Sequence, residues 1–425
     1  MDFFKLKQHG TSVATEIRAG FTTFLTMMYI VPVNAIIMSK TGMPIEALIT
    51  ATALITIIAT VLNGFWANTP VAMSVGMGLN AYFTYGLVLG MKIPWQSALG
   101  IVFVSGIIFL ILSLTPFRVW VLKSLPNDLR RAISAGIGAF IAFIGLKEMG
   151  IIVDNPATLV GLGDFSNSSV LLGLFGLFLV TMLYSLRVKG AFIVAIVFTS
   201  LVGWGFGLSS VPKEFLSMPS SISPIFLKLD IASALQLSLL PVIVTFLVTD
   251  MFDSLGTLAG IGYRANLFKE DSKDIEKTLE VDAAATVIGS LLGVSTTTSF
   301  IESASGVEEG GRTGLSAIVT GIFFITTLFL LPFFKAIPPN AVYPILVMVG
   351  VLMFSELAHI NFKDIATLIA TFFIVLMMPL TYSITNGLAF GFIAYLLVKL
   401  VKLEFEDINL GVILLALIGL LVFVI

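Results

Sequence analysis

The stretch LGVSTTTSFIESASGVEEGGRTG, residues 292–314, decides the fold of this chain. It starts as the end of an apolar run, passes through five consecutive hydroxyl residues and reaches the carboxylate Glu302. Glu308 and Glu309 follow within two helical turns, whereas a membrane-crossing helix needs about 20 apolar residues. Because long apolar runs flank the stretch, we expect it to lie at membrane depth, where irregular backbone occurs only inside protein or along a cavity. A carboxylate in such a place indicates a functional site.

Composition defines the class of protein. The chain has 425 residues, of which 57% are hydrophobic and 11% charged. A soluble protein carries about 25% charged residues. We therefore predict an all-α polytopic membrane protein, with length for roughly 14 spans. The absence of cysteine excludes disulfides and thiolate metal sites, and with two histidines we expect no metal. A net charge of −2 indicates no nucleic-acid partner.

Apolar runs predict fourteen spans. They are 16–40, 46–66, 74–90, 97–122, 130–148, 168–186, 190–208, 233–259, 277–293, 299–310, 312–334, 341–357, 364–380 and 383–402. Residues 1–15 lack a signal-peptide pattern and are predicted to be an amphipathic segment on the cytoplasmic membrane surface. The C-terminal segment 403–425 is apolar from residue 408, and that run either spans the membrane or lies in its interface.

The distribution of basic residues orients these spans. Seventeen of the 23 lysines and arginines fall in loops on the side of the N-terminus. The other six are Lys40, Lys92, Lys147, Lys213, Lys228 and Lys335. Because basic residues concentrate on the cytoplasmic side, we predict a plasma-membrane protein with a cytoplasmic N-terminus.

The chain contains an internal echo. Residues 70–80 (PVAMSVGMGLN) precede the third span as residues 292–302 precede the tenth, each an extended run ending in a polar residue that opens a half-helix. Seven spans separate them, so the two copies have inverted topology. Paired interrupted segments of this kind indicate a transporter binding site. We predict a first repeat over 16–208, an external connection over 209–232 and a second repeat over 233–402.

The eighth span carries two carboxylates, Asp250 and Asp253, on one helix face. A charge near the midplane costs at least roughly 2.5–3.5 kcal/mol. No lysine or arginine lies in the middle of any predicted span to compensate it. Such a group needs a proton, hydrogen bonds or a polar ligand, and two neighbouring carboxylates resist joint ionisation. This is the chemistry of a proton-coupled carrier.

Each candidate residue also has a purely structural interpretation. Asp253 can be a structural group, Asn80 can cap the half-helix that follows it, and Thr297 and Ser299 can satisfy backbone in an unwound stretch. Glu280 and Asp282 lie near the start of the ninth span, where a solvated position is expected. The charges at Glu308, Glu309 and Arg312 are expected to be loop charges.

Two short sequence motifs match patterns of other protein classes but lack the context that those classes require. Residues 161–164 (GLGD) match the pattern of intramembrane aspartyl proteases but fall in a polar loop without a second intramembrane aspartate to pair with. Residues 309–314 (EGGRTG) are glycine-rich but lack the phosphate-binding pattern of nucleotide-binding loops. The sequence therefore favours neither an enzyme nor an ATP-driven pump.

Three motifs in order make the chain recognisable. They are residues 74–86 (SVGMGLNAYFTYG), 249–257 (TDMFDSLGT) and 297–306 (TTSFIESASG), the last followed by 310–315 (GGRTGL). Together they resemble the AzgA-like purine permeases of the nucleobase:cation symporter-2 family, over essentially the whole chain. Relatives in the uracil branch carry a glutamate and a histidine on the eighth span, so Asp250 and Asp253 favour the purine branch.

The resemblance implies 14 spans in two inverted repeats of seven, divided into a core and a gate domain, with short strands opening spans three and ten. It implies a homodimer that carries purine bases by an elevator motion of the core, with a proton as coupling ion and no other cofactor. The functional positions it transfers are Asn80, Asp250, Asp253 and Glu302.

A purine is flat and neutral with donors and acceptors at its edges, which suits a carboxylate acceptor, a side-chain amide and half-helix N-termini. The predicted base-binding residues are Glu302, Asp250, Asn80, Thr297, Ser303 and Phe300, and the predicted proton carriers are Asp250 and Asp253. Phe300, Tyr82 or Phe24 is expected to stack on the ring. The alternatives are a uracil, xanthine or anion carrier on the same fold, or a channel.

Overall fold

Nearly every apolar run of the sequence forms a helix. The computed structural model describes residues 2–115, 125–265 and 273–424. Its helices are α1 (Val13–Met27), α2 (Ile30–Ser39), α3 (Ile45–Trp66), α4 (Met77–Ala81), α5 (Trp95–Ser113), α6 (Asn127–Glu148), α7 (Ser168–Ser185), α8 (Ala191–Gly205), α9 (Ile231–Ala234), α10 (Leu240–Ala265), α11 (Lys273–Leu292), α12 (Ser303–Glu308), α13 (Gly314–Phe324), α14 (Leu331–Ala336), α15 (Pro339–Phe354), α16 (Ile365–Thr381), α17 (Ile384–Val401) and α18 (Leu410–Val424).

Short elements complete the description. The strands are β1 (Met73–Val75), β2 (Ile152–Asn155), β3 (Leu159–Leu162) and β4 (Thr297–Ser299), a π-helix covers Tyr82–Gly90, and 3₁₀ turns cover Asp2–Phe4, Leu237–Leu239, Ile325–Phe329, Ser355–His359 and Phe405–Asp407. Within the described ranges, eight helical segments are long and apolar enough to cross a membrane, and four shorter apolar helices accompany them. The third and tenth spans are a strand followed by a half-helix, as the sequence predicts.

The first span is broken at Met28 and Tyr29, between α1 and α2. Pro32 explains the break, because it has no N–H and its ring would clash with the carbonyl of Met28, four residues earlier. Around Pro32 the backbone is held by hydrogen bonds from Val31 N to Met28 O (3.4 Å) and from Val33 N to Tyr29 O (3.2 Å). The break leaves the Tyr29 side chain 1% exposed at the end of α1.

The two half-spans meet in a two-stranded sheet. Strand β1 pairs antiparallel with β4, and Ser74 lies opposite Thr298 at the centre. Backbone bonds at both ends, Gly76 N to Thr296 O (2.9 Å) and Phe300 N to Ala72 O (3.0 Å), continue the ladder. All six strand residues are buried, so the extended backbone sits inside protein, as a membrane requires.

The helices pack in two groups. One group contains spans one to four and eight to eleven, in which α13 packs on α1 and α3, and α11 packs on α5. The other contains spans five to seven and twelve to fourteen, in which α6 packs on α15 and α16, and α7 on α15. We call the first group the core domain and the second the gate domain. Each is built from both repeats, as the predicted fold requires.

Ion pairs divide between the two ends of the bundle. Lys40 pairs with Glu148 (3.2 Å) and Lys335 pairs with Glu46, at the end predicted to be external. Glu309 pairs with Arg18 (3.3 Å) and with Lys189, at the opposite end. Residues that the sequence assigns to one side therefore pair with each other.

The structure corrects the predicted start of the eighth span and gives the C-terminal run a defined element. The eighth span begins at Leu240 rather than at residue 233, because Asp230 caps the separate short helix α9 and Pro241 fits only in the first turn of a new helix. The C-terminal run forms α18, which packs on α17 and α10. At 15 residues it is about 22 Å long, shorter than a bilayer core of about 30 Å.

Candidate functional site

Two of the predicted site residues belong to the half-helices: Asn80 lies on α4, and Glu302 directly precedes α12. Asn80 is 0% exposed, and its side-chain Nδ2 donates to Asn34 Oδ1 (2.5 Å). Asn34 is itself held in place because its Nδ2 donates to Thr52 Oγ1 (2.7 Å). The amide oxygen of Asn80 has no hydrogen-bond partner within the described ranges. Helix α4 begins at Met77, so Asn80 lies inside it and does not cap it. Its free oxygen is available to a ligand N–H.

Glu302 directly precedes α12 and is half-buried. The Tyr29 hydroxyl donates to Glu302 Oε1 (2.5 Å), and Thr26 Oγ1, one turn earlier on α1, lies 3.4 Å from the Glu302 carbonyl. A carboxylate offers about four acceptor sites, so one donor leaves the group open to further N–H groups. The sequence did not indicate Tyr29; the only signal for it was Pro32 inside an apolar span.

Asp250 lies on α10 and is 2% exposed. Its Oδ2 accepts from Thr286 Oγ1 (3.0 Å), whereas Oδ1 has no hydrogen-bond partner in the described part of the chain. Asp253 follows one turn later and is half-buried, close enough to Glu302 for the two charges to repel. Asp253 is therefore the predicted proton carrier that interacts with Glu302.

Asp282 is a further buried carboxylate, and the expectation of a solvated position is wrong. It is 0% exposed, and the Ser254 hydroxyl on α10 is the polar neighbour of its carboxylate. It interacts electrostatically with Asp250 and Asp253. The reason is that α11 already starts at Lys273, which places Asp282 about 14 Å along the helix axis. The apolar run alone marks the start of the span too late.

Hydroxyl groups hold the two strands from outside the ladder. Thr60 on α3 accepts from Met73 N (3.0 Å) and donates to Met73 O (2.9 Å). Thr286 on α11 accepts from Thr297 N (3.0 Å) and lies 2.9 Å from Thr297 O. Met73 and Thr297 are the first residues of β1 and β4, and α3 and α11 are the second spans of the two repeats. The inverted repeat is thus visible as a repeated contact where side-chain identity is slight.

The remaining predicted residues differ in what they contact. Ser303 Oγ accepts from Ala72 N (2.9 Å) and so ties α12 to the residue before β1. The hydroxyls of Thr297 and Ser299 have no partner in the described ranges, so these side chains do not satisfy the backbone around them. Phe300 is 6% exposed beside Glu302.

Two of the three aromatic residues predicted to stack on the base, Phe24 and Tyr82, already pack against other rings. Phe24 stacks on Phe323 with ring centroids 5.7 Å apart. Tyr82 is fully buried on Phe246 (5.6 Å), and its hydroxyl lies 2.7 Å from Thr385 Oγ1. Of the three, Phe300 is the one that adjoins the site carboxylate in sequence.

The site is acidic and rich in unpaired acceptors. Among the described residues, no lysine or arginine pairs with Asp250, Asp253 or Glu302, and no group of three histidine, cysteine, aspartate or glutamate residues is arranged to hold a metal. Carboxylates and an amide beside the paired strands can accept hydrogen bonds from a neutral ring with N–H donors and can exchange protons.

Comparison with known proteins places the chain. Its residues 14–390 match the sequence profile of the Permease family. It is 47% identical over 424 residues to a putative permease of Methanocaldococcus jannaschii, covering 99% of this chain and 97% of that one. It is 41% identical over 420 residues to the adenine permease AdeP of Escherichia coli, covering 98% and 94%. It is 39% identical over 419 residues to the guanine/hypoxanthine permease PbuG of Bacillus subtilis, covering 96% and 95%.

Solved structures share the fold at low identity. The transmembrane domain of the cyanobacterial bicarbonate transporter BicA superposes with a TM-score of 0.63 at 14% identity, covering 87% of this chain and 96% of that one. The murine anion transporter Slc26a9 gives 0.64 at 10%, covering 92% and 68%. These are transporters with the inverted 7+7 repeat, which confirms the predicted fold. The prediction that the chain is not an enzyme is confirmed by the transporter relatives. The chain belongs to the Permease family, as a carrier of the nucleobase:cation symporter-2 type.

Proposed function

We propose that this chain imports purine nucleobases across the plasma membrane, with a proton as coupling ion. The observation that carries the proposal is a set of acceptors around the paired strands: Asn80 after β1, Glu302 after β4, and Asp250, hydrogen-bonded to the Thr286 that holds β4. These groups have open acceptor atoms and no basic partner among the described residues. Relatives named for adenine and for guanine/hypoxanthine align along nearly their whole length, which supports purines as the substrate class.

Base recognition follows from the open acceptors. The Glu302 carboxylate accepts from ring N–H groups, and charge-assisted bonds of this kind are about twice as strong as neutral ones. The free Asn80 oxygen accepts from a further edge donor. Phe300 provides an apolar neighbour for the ring. A site of this composition favours a neutral purine over an anion, which would meet a carboxylate without a compensating cation.

Proton coupling follows from crowded carboxylates. Asp250, Asp253 and Asp282 repel one another, so ionising all three at once is unfavourable. A proton shared by this cluster reduces the repulsion and is released when the surroundings change. We place it on Asp250 and Asp253, with Asp282 as a third member of the cluster.

The proposal includes orientation and assembly. We place the N-terminus in the cytoplasm, on the distribution of basic residues. We propose a homodimer in which the core domain carries the base past a fixed gate domain. Because the chain has no cysteine, a single cysteine at Lys40 tests orientation without background: an impermeant maleimide added outside intact cells reacts with Lys40→Cys and leaves Arg187→Cys unlabelled.

The decisive test is uptake of labelled adenine, guanine and hypoxanthine by cells that lack their own purine permeases. We expect saturable uptake that rises as the external pH falls and stops with an uncoupler, and competition by purines but not by uracil. Uptake that ignores pH and uncoupler contradicts proton coupling. Competition by uracil, by xanthine alone or by bicarbonate selects one of the alternative carriers, and the absence of counterflow selects a channel.

Two substitutions separate binding from coupling. Glu302→Gln removes the charged acceptor and is expected to weaken base binding by about tenfold or more, since a hydrogen bond to a charged group contributes about 1.5–3 kcal/mol. Asp250→Asn fixes an uncharged side chain and is expected to abolish concentrative uptake while retaining exchange. Unchanged transport in both variants excludes the assigned site.

A further inference from the structure

The Thr286 hydroxyl makes three polar contacts, one more than its counterpart at Thr60. It accepts from Thr297 N (3.0 Å), and it lies within donating distance of both Thr297 O (2.9 Å) and Asp250 Oδ2 (3.0 Å). The residue is 0% exposed, so these three contacts lie away from bulk solvent. The hydroxyl therefore connects strand β4 directly to the carboxylate predicted to carry the proton.

Strand geometry makes the contact to Thr297 significant. In an antiparallel ladder, hydrogen-bonded and non-hydrogen-bonded pairs alternate. The observed bonds at Gly76–Thr296 and Ala72–Phe300 place Thr297, opposite Val75, in a non-hydrogen-bonded pair. Its N–H and C=O consequently point away from β1. In the described chain it is Thr286 that satisfies both groups.

A hydroxyl has one hydrogen, so it cannot donate to both acceptors at once. When Asp250 is ionised it can only accept, and the Thr286 hydrogen points to the carboxylate. Thr297 O then loses its donor in a buried place, which is unfavourable. When Asp250 is protonated, its carboxyl group donates to Thr286 Oγ1, and the Thr286 hydrogen is free to donate to Thr297 O. In this protonated state the proton stays on Asp250, and only the direction of the Thr286 hydrogen bond changes.

We propose that Thr286 is a positioning residue that transmits the proton state of Asp250 to strand β4 and so to the base-binding residues that follow it. The inference rests on the proposed function, since it presupposes that Asp250 carries the coupling proton. Protonation of Asp250 completes the hold on Thr297 and orders the start of β4. The same strand leads in five residues to Glu302. Base is therefore bound more tightly when Asp250 is protonated.

Other ionisable groups act on the same point. Asp253 on α10 and Asp282 on α11 both interact electrostatically with Asp250, and Glu302 interacts with Asp253. No cation pairs with Asp250 among the described residues. These neighbours set the pH at which Asp250 gains its proton, whereas Thr286 determines what the strand experiences when it does.

Thr60 provides a matched control. Its hydroxyl makes the same two bonds to Met73 at the start of β1, and among the described residues it contacts no carboxylate. Thr286→Val and Thr60→Val each remove one buried hydroxyl and the same two strand contacts. A purely structural role predicts equal consequences, and the proton link predicts a change in pH dependence at Thr286 alone.

The experiment measures the affinity of the purified full-length protein for hypoxanthine, adenine and guanine at one mildly acidic and one mildly alkaline pH. We expect the wild type to bind more tightly at acidic pH. In Thr286→Val the ratio of the two affinities should fall by about fivefold, the value of one hydrogen bond. Thr60→Val should retain the wild-type ratio, whatever its absolute affinity, and Thr286→Ser should restore it because serine keeps the hydroxyl.

The outcomes separate this inference from the proposed function. If the wild type binds no purine, or binds with no pH dependence, the proposed function fails and this inference with it. If the wild type is pH-dependent and Asp250→Asn is not, but Thr286→Val matches Thr60→Val, the Thr286 link alone is overturned. If Thr286→Val does not purify as a folded protein, Thr286→Ser decides: a loss of pH dependence with the hydroxyl retained also overturns the link.

Discussion

At the scale of single residues, the Tyr29 hydroxyl offers a test of how Glu302 is held. Tyr29→Phe removes only the oxygen that donates to Glu302 Oε1 and leaves the ring packed edge-on against Phe192 (5.0 Å). A hydrogen bond to a charged acceptor contributes about 1.5–3 kcal/mol, so we expect the KM for purine uptake to rise about tenfold or more with little change in maximal rate.

Tyr184→Phe is the control for this change. Tyr184 stacks on the other side of the same aromatic row, 6.1 Å from Phe192, and is 44% exposed. Loss of its hydroxyl is expected to leave KM unchanged. Equal KM values for Tyr29→Phe and the wild type mean that Glu302 does not depend on Tyr29 for its position.

The same residues mark how far sequence reasoning reaches. Asp250, Asn80 and Glu302 stand out because a polar group in an apolar run is expensive, so chemistry alone identifies them. Tyr29 and Thr286 do not stand out, because tyrosine and threonine are ordinary in membrane helices. Their roles are visible only from contacts with residues distant in sequence, Glu302 for Tyr29 and Asp250 for Thr286. Asp282 was misjudged because charged residues around Lys273 hide the first turns of α11.

At the scale of elements, close helix contact at glycine is the feature most open to test. A Cβ atom added to Gly314 would lie 1.9 Å from the carbonyl oxygen of Gly64, so α13 and α3 touch backbone to backbone. Gly314→Ala is expected to force the helices apart and to cost about 1–3 kcal/mol or more, seen as a lower melting temperature of the purified protein.

Gly256→Ala is the matched change inside a helix. No atom lies within 4 Å of a Cβ built at Gly256 in α10, and alanine is favoured over glycine in a helix by roughly 0.5–1 kcal/mol. We expect an unchanged or slightly higher melting temperature. A Gly314→Ala protein as stable as Gly256→Ala would mean that the α3–α13 contact can relax.

Helices were predictable from the sequence where a long run of residues is uniformly apolar. Uniformly apolar spans such as α3 and α8 lie within a few residues of their predicted bounds. Strands β1 and β4 agree with what the resemblance implies and with the extended runs before the two half-helices, whereas the hairpin of β2 and β3 was not predicted. The break of the first span depends on a single proline, Pro32, inside an apolar run, and the apolar pattern does not distinguish the 3₁₀ turn at Ile325–Phe329 from the helix before it.

At the scale of the whole molecule, the division into core and gate explains which ion pairs bear on transport. Lys40, the residue directly after α2, belongs to the core, and Glu148, the last residue of α6, belongs to the gate. Their ion pair (3.2 Å) therefore joins the two domains. Glu46 on α3 and Lys335 on α14 also pair at this end, but both belong to the core. Of these two pairs, only the first must separate if the core slides past the gate; at the opposite end, the pair of Lys189 with Glu309 likewise joins gate to core.

A cross-link distinguishes the two pairs, and the absence of native cysteine makes it clean. We expect Lys40→Cys/Glu148→Cys, joined by a short bifunctional maleimide, to lose purine uptake because the core is tied to the gate. Glu46→Cys/Lys335→Cys, treated identically, should keep it, because that bridge stays within one moving body. Uptake by a fully cross-linked Lys40→Cys/Glu148→Cys protein would show that the base crosses without relative motion of the two domains at this end. The sliding mechanism would then have to give way to a rearrangement confined to the half-helices around β1 and β4.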